Sequence, residues 1–337
     1  MLYIYNDSND PYFNLAAEEY LLSATPQQSP LLYNEDIFML WVNRDVIVVG
    51  QNQNTLSEIN YDYVKDNDIA VVRRLTGGGA VFHDKGNLNF TFIQNKAGDY
   101  GDFEHFLKPI IKVLNDMGVK AEISGRNDMT IEGRKFSGNA QCVKNNRILH
   151  HGTLLLNASI SRLSEALRPD LYKIESKGVK SIINRVTNIN DHLDTPITID
   201  EFIENISVYM KHYAGNADNN MTTYKLSKSD NINISRLADS KYRTWEWNYG
   251  NSPKYNFTNS KSFPFGKIQV YLNVKNGILE KIKFYGDYFS EYEISELENS
   301  LIGVKHSYKD IFDIIKDIDI DKYFSHATCE NILSVML

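Results

Sequence analysis

The chain has 337 residues, 42% apolar and 23% charged, enough for one large globular domain and a smaller one. Lysine plus arginine total 36 against 43 for aspartate plus glutamate, a formal charge of −7, which argues against a general nucleic-acid binder with its usual basic excess. Only Cys142 and Cys329 carry thiols, so a secreted disulfide scaffold is excluded. The start MLYIYNDSND lacks the pattern of a signal peptide, and no stretch approaches the roughly 20 apolar residues of a membrane helix. A cytoplasmic protein without a membrane partner is expected.

In chain order, Leu2 to Tyr5 reads as a short strand. Asn14 is then expected to open an amphipathic helix through LAAEEYLL, with the aromatics of Asp10-Pro11-Tyr12-Phe13 tucked beneath it. Ile37–Val42 and Val46–Val49 read as a strand pair turning at Asn43-Arg44-Asp45, followed by the polar run Gly50-Gln51-Asn52-Gln53-Asn54. A short helix, Tyr61–Asp66, capped by Asn60, leads to an apolar strand at Ile69–Val72.

Asp102 caps a helix whose apolar face is Phe103, Phe106, Ile110, Val113 and Met117, ending at Gly118. Pro109 lies inside it and predicts a kink or a break, since an interior proline costs about 3 kcal/mol. Val119–Ile123, Met129–Ile131, Phe136 onward and Ile148–Leu156 are strands; Glu132-Gly133 turns between the second and third. Helices are predicted over Ser161–Leu167 and Asp200–Tyr213, the latter stopped by Gly215, and residues 214–223 form a loop. Trp245 to Gly250 is expected to dock on the large domain, and NSPKYNFTN is expected to be linker. Beyond it, Lys267–Val274 and Ile278–Phe284 flank Asn276-Gly277, a hairpin signal. Helical patterns near residues 293–302, 307–318 and 327–336 complete a small α+β domain.

The stretch that carries chemistry is RRLTGGGAVFHDKGNLNFTF, residues 73–92. Leu88, Phe90 and Phe92 alternate with Asn87, Asn89 and Thr91, the period of a half-buried strand after a turn at His83-Asp84-Lys85-Gly86. Three adjacent glycines let another molecule approach the main chain closely, and N–H groups beside Arg73 and Arg74 suit an anion. No GxxxxGK[ST] is present, and a strand instead of a helix follows the glycines, so neither common phosphate loop applies.

Together with Gly125-Arg126-Asn127-Asp128, Arg134-Lys135-Phe136-Ser137-Gly138-Asn139-Ala140 and His150-His151-Gly152-Thr153-Leu154-Leu155, this stretch closely resembles the lipoate-protein ligase family, within the wider group of biotin and lipoate ligases. The DPYFNLAAEE segment and the run after Gly50 also fit, so the resemblance covers nearly the whole chain. It implies a mixed-sheet α+β fold: a catalytic lipoate- and ATP-binding domain over residues 1–247 and a small accessory α+β domain over 255–337. It implies that lipoate and ATP form lipoyl-AMP and pyrophosphate, after which the lipoyl group passes to a lysine of a carrier: a lipoyl domain of a 2-oxoacid dehydrogenase E2 subunit, or the glycine cleavage H protein. A monomer is expected.

Carboxylate and α-phosphate must come within bonding distance, and at about 4 Å and an effective dielectric near 20 they repel by roughly 4 kcal/mol. A cation between them offsets this; the matching residue is Lys135, the expected catalytic group. Arg74 matches the family's arginine at the ligand loop and is expected to pair with phosphate; Arg73 does likewise or pairs with protein carboxylates. The resemblance assigns Gly79, Ala80, Val81, Phe82 and Lys180 to the adenylate. It assigns Gly77, Gly78, Gly79, His83, Ser137, Gly138 and His151 to lipoate, with Arg74 and Lys135 shared. Lys177 to Ser181 is expected to be a lid over the adenylate. Asp128, alone or with Asn127, is the expected magnesium carboxylate, since magnesium usually takes one or two carboxylates plus phosphates. His150 and His151 are not a zinc pair, because adjacent strand residues face opposite sides; His151 is favoured as the one facing the site. In the transfer step, Lys135 would lower the incoming lysine's pKa by like-charge proximity. The rival reading is an ATP-independent octanoyl or lipoyl transferase acting through a Cys142 thioester. A biotin ligase is disfavoured because its glycine-rich motif is absent.

Overall fold

The computed structural model describes residues 1–51, 53–95, 100–125, 127–167, 185–215, 221–250, 255–286, 290 and 292–337. The chain divides into two units, one of residues 1–51 and 68–244, the other of residues 52–67 and 245–337. The short helix Tyr61–Asp66 therefore belongs with the C-terminal residues, a crossing that a single boundary near residue 250 does not capture.

The first unit is built on an eight-stranded mixed sheet. Its strands are β1 (Leu2–Asn6), β2 (Ile37–Val42), β6 (Asn87–Gln94), β7 (Ala121–Ser124), β8 (Asp128–Ile131), β9 (Arg134–Lys144), β10 (Arg147–Leu155) and the two-residue β11 (Thr222–Thr223). They lie in the order β11-β1-β2-β6-β10-β9-β8-β7. A second sheet of three strands holds β3 (Val46–Val49) between β4 (Ala70–Arg73) and β5 (Val81–His83). The expected β2–β3 pair does not form: the turn at Asn43 to Asp45 carries the chain from one sheet to the other, β2 pairing with β1 and β6 and β3 with β4 and β5.

Helix α1 (Pro11–Leu22) starts three residues before Asn14, with Asp10 as its cap and proline at the first helical position. Asn14 instead lies inside it, fully buried, so the helix is not a simple amphipathic one. Helix α2 (Phe103–Asp116) runs through Pro109 as one continuous helix, so the expected break does not occur. Proline removes one backbone bond, whereas Phe103, Phe106, Leu107, Ile110, Val113 and Leu114 bury a full apolar face; each such side chain contributes about 1.5–3 kcal/mol. That face and the helix Ile199–Gly215 cover one side of the large sheet, packing on Phe38, Leu40, Phe90, Phe92 and Ile148. The turn between β8 and β9 places Glu132 and Gly133 at φ 51° and 73°.

The second unit holds a three-stranded antiparallel sheet of β12 (Tyr255–Phe263), β13 (Gly266–Lys275) and β14 (Ile278–Gly286). Asn276 and Gly277 turn the β13–β14 hairpin at φ 50° and 74°. Helices Ile294–Leu301, Tyr308–Ile315 and Cys329–Met336 complete it. β12 occupies much of the stretch expected to be linker; residues 251–254 lie outside the described residues. Trp245 packs within this unit, where a Cβ on Gly277 would stand 2.5 Å from its ring.

Candidate active site

The side of the large sheet away from α2 forms a cleft floor. Register and alternation set its rows: Trp41 on β2 pairs with Asn89 on β6, and Asn89 with Thr153 on β10. Gly138 on β9, whose N–H donates to Thr153 Oγ1 at 3.2 Å, continues the row. The neighbouring row is Met39, Thr91, His151 and Ala140. Opposite this floor stands the glycine loop between β4 and β5. Together they frame a cleft of about 160 Å³, walled by Trp41, Arg74, Gly78, Gly79, Ala80, Val81, His83, Lys135, Gly138 and His151 among others.

Arg74 is buried, and every donor nitrogen of its guanidinium is turned inward. Nε donates to Thr76 Oγ1 at 3.0 Å, Nη1 to Val48 O at 3.1 Å, and Nη2 to Gly77 O at 2.6 Å and Gly79 O at 2.8 Å. These contacts make Arg74 a clamp on the loop. Across a planar trans peptide, N–H points opposite to C=O. Holding the Gly77 and Gly79 carbonyls turns the Gly78 and Ala80 N–H groups away from the guanidinium. Arg73 likewise donates to backbone, Gly50 O at 2.9 Å and Gln51 O at 3.0 Å. Burial lowers both arginines to about 10, so both stay charged near neutrality.

The loop needs its glycines for separate reasons. Gly78 has φ +92°, which L side chains rarely adopt, and a Cβ on Gly50 would lie 2.1 Å from the Gly78 carbonyl. A Cβ on Gly79 would meet nothing within 4 Å, so space there is left open.

His151 completes a buried chain of hydrogen bonds under the loop. Its Nδ1 lies 3.0 Å from both carboxylate oxygens of Glu18, and its Nε2 lies 2.8 Å from Thr76 Oγ1. Thr91 Oγ1 donates to Glu18 at 2.6 Å, and Trp41 Nε1 donates to Thr91 at 2.9 Å. Because a carboxylate accepts, Nδ1 carries a proton toward Glu18. His150 faces the other way, stacked on Phe106 with ring centroids 4.7 Å apart, and burial holds it well below the usual histidine range.

Lys135 is half exposed at the cleft mouth. Its backbone is pinned by Lys135 N–H to Arg185 O at 2.7 Å and by Thr187 N–H to Lys135 O at 3.0 Å. Its Nζ lies 2.7 Å from Asp128 Oδ1, and a Cβ on Gly138 would come 3.2 Å from that nitrogen. The absent side chain at Gly138 therefore leaves room for the ammonium. Asp128 is half exposed, and among the described residues no three His, Cys, Asp or Glu side chains cluster as a metal site.

Three expected positions stand elsewhere. Phe82 points off the cleft, buried beneath the Arg162 guanidinium at 5.4 Å on helix α3 (Ile160–Ala166), because Val81 and His83 take the inward positions of β5. Ser137 is buried behind the cleft wall, accepting from Asn139 Nδ2 at 3.1 Å. Gly77 contributes its carbonyl to Arg74 and is not itself a wall. Arg126, Lys180 and the expected lid from Lys177 to Ser181 lie outside the described residues. Sequence reading missed Leu15, Trp41, Val48, Asn89 and Thr153 as walls, and Glu18 beneath them. Trp41 sits in the wholly buried run IFMLWV, which has no polar alternation to reveal its face.

Cys142 shares the sheet face with Ala140 but is not a cleft wall. Burial, with Glu18 nearby, pushes its thiol up to about 12, which disfavours a thiolate nucleophile.

Residues 10–211 match the family described as lipoyl protein ligase A/B catalytic domain, and residues 252–336 match bacterial lipoate protein ligase C-terminus. Lipoate-protein ligase LplJ of Bacillus subtilis is 43% identical over 340 residues, covering 100% of both chains. LipL1 of P. falciparum, solved in complex with lipoate, superposes with TM-score 0.63 at 28% identity, covering 99% of this chain and 98% of its own. The ligase structure from a Thermoplasma acidophilum lipoylation system, a bi-partite ligase and its E2 lipoyl domain, gives TM-score 0.66 at 25% identity, covering 75% of this chain and 98% of its own.

Proposed function

The chain belongs to the lipoate-protein ligase family, and on that premise we propose that its cleft activates lipoate with ATP and passes the lipoyl group to a carrier lysine. The observation that carries this reading is Lys135, fixed on β9 beside the open space of Gly138 and facing the clamped glycine loop across one cleft.

In this reading Lys135 exchanges Asp128 for the lipoate carboxylate and the α-phosphate. The Gly78 and Ala80 N–H groups supply neutral donors to the same anions without moving, because Arg74 already holds their peptide planes. Carboxylate oxygen attacks the α-phosphorus, the bond to pyrophosphate breaks, and the anhydride remains under the loop. The carrier lysine then attacks the acyl carbon and AMP leaves. Asp128, with Asn127, would hold magnesium on the ATP phosphates. A half-exposed carboxylate suits an ion that takes most of its ligands from phosphate and water.

The carriers we propose are lipoyl domains of 2-oxoacid dehydrogenase E2 subunits and the glycine cleavage H protein, met in the cytoplasm by a monomeric enzyme. LplJ and LipL1 support lipoate as substrate, and the E2 lipoyl domain of the archaeal system supports the carrier class. The test is to supply ATP, magnesium and lipoate and follow pyrophosphate release and mass gain on purified carrier domains. No pyrophosphate and no mass gain on any carrier would overturn the reading. The Cys142 thioester alternative is not favoured, given a thiol held protonated away from the cleft walls.

A further inference from the structure

Asn139 is a polar residue on the core face of its strand. Gly138 and Ala140 take the cleft positions of β9, so the Asn139 side chain between them turns the other way, against its register partner Gly152. There Oδ1 fills the space that a side chain at Gly152 would need: a Cβ on Gly152 would stand 1.9 Å from that oxygen and 2.6 Å from the Phe90 ring. Among the described residues this oxygen has no hydrogen-bond partner, although Asn139 is only 5% exposed. A buried carbonyl left unpaired is destabilising, and an apolar side chain of the same size would avoid the loss. Packing alone therefore does not account for the amide; its other end does.

That end is bound twice. Nδ2 donates to Asn127 O at 3.1 Å and to Ser137 Oγ at 3.1 Å. A backbone carbonyl only accepts, which fixes the atom facing Asn127 O as nitrogen. The Asn139 backbone grips the same residue: its N–H donates to Asn127 O at 3.0 Å, and its carbonyl accepts from Asn127 Nδ2 at 2.7 Å. By the same reasoning the Asn127 amide turns its NH2 toward β9, and its Oδ1 takes no part in these bonds. Asn127 is a partly exposed cleft wall, and the next residue, Asp128, holds Lys135 Nζ at 2.7 Å. The corner that leads into β8 is thus tied to β9 from behind.

We propose that Asn139 is a positioning residue: from the core face it holds the Asn127–Asp128 corner so that Asn127 offers its amide oxygen, not its NH2, to the cleft beside the Asp128 carboxylate. This rests on the reading above in which those two residues hold magnesium on the ATP phosphates. A neutral oxygen next to a charged one is a donor set that a hard divalent cation accepts. Loss of a support behind such ligands costs about 10- to 100-fold in affinity or activity. The two backbone bonds of Asn139 survive any substitution, so the low end, about tenfold, is expected.

The test uses the full chain and Asn139→Leu, which keeps the volume and removes both the Nδ2 donor and the unpaired oxygen. Pyrophosphate release gives KM separately for MgATP and for lipoate. Electron paramagnetic resonance gives the affinity for manganese in the presence of a non-hydrolysable ATP analogue. In Asn139→Leu, KM for MgATP and the manganese Kd are each expected to rise about tenfold, with KM for lipoate within about twofold of wild type. A sheet that had merely loosened would move both substrates together. Equal proportional changes for MgATP and lipoate, or an unchanged manganese affinity, overturn the proposal. Independently of variant folding, side-chain amide spectra of the wild type should show the Asn127 and Asn139 NH2 groups slow to exchange with solvent, and the Asn127 signals broadened by manganese with the analogue. Rapid exchange at Asn127, or no broadening there, overturns it as well. A wild-type chain that releases no pyrophosphate defeats the ligase reading and this one with it. One that turns over but binds no manganese with the analogue defeats the magnesium reading and this one together, whereas wild-type manganese binding with equal changes in the variant defeats this one alone.

Discussion

Gly50→Ala and Gly79→Ala separate the glycines the chain needs from those the ligand needs. An added methyl at Gly50 would lie 2.1 Å from the Gly78 carbonyl oxygen, more than an ångström inside ordinary contact, and both groups are backbone. No rotamer relieves that clash. The loop must lift, and lifting it strains Arg74 Nη2, which holds Gly77 O and Gly79 O at 2.6 and 2.8 Å. Overpacking of this kind costs about 1–3 kcal/mol of stability. A displacement of about 1 Å near the reacting groups costs on the order of 100-fold in rate. At Gly79 the methyl meets nothing within 4 Å and φ is not in the left-handed region, so stability should stay within about 0.5 kcal/mol of wild type. Its kcat/KM should nevertheless fall, because the methyl fills space that the chain keeps empty. Thermal unfolding and pyrophosphate release, measured on both variants, check the pair. A Gly79→Ala protein with wild-type kinetics would refute the claim that this glycine serves the ligand. A Gly50→Ala protein with wild-type melting temperature would refute the close approach itself.

Lys135→Ala should lower adenylate formation by about 100- to 1,000-fold, the usual loss of one preorganised donor, read as single-turnover pyrophosphate release. Cys142→Ser should retain ATP-dependent transfer, and loss of transfer in mass spectra of the carrier would revive the thioester route. Burial lowers His306 to about 4, and a depressed histidine contributes stability fully present above its unfolded value near 6.5 and lost as pH falls toward 4. Denaturant titrations should show that loss, on the order of 3 kcal/mol from this group, shrinking in His306→Gln; a stability flat between pH 6.5 and 4 would contradict it.

The three motif blocks were legible because short-range pattern states them. Alternation at Leu88, Phe90 and Phe92 fixed a strand, and Asn276-Gly277 fixed a hairpin. What escaped was pairing and direction. Nothing local distinguishes β2 and β3 as neighbours in one sheet from neighbours in sequence only, and they lie in different sheets. β12 reads as linker because, among its described residues, Phe257 is the only buried hydrophobic one, leaving too little apolar alternation to register. Arg74 could be placed at the loop but not oriented, since a guanidinium serves phosphate and carbonyl oxygens alike. Glu18 reads as one more polar residue on a helix until β10, 133 residues on, brings His151 against it.

Core and site are two faces of the same strands, and this couples them. On β10, His150 packs on Phe106 while its neighbour His151 meets Glu18 and Thr76. The next residue, Gly152, has no room for a side chain: a Cβ there would stand 1.9 Å from Asn139 Oδ1 and 2.6 Å from the Phe90 ring. That contact seats β10 against β9 and β6, and so fixes how far His151 reaches toward Thr76 and the glycine loop. A shift of β10 to relieve crowding in the aromatic core would move His151 with it, because side chains on a pleated strand turn about a common backbone. The apolar packing under α2 thus sets the position of the hydrogen-bond chain from Trp41 to Thr76, and through Arg74 the direction of the loop amides.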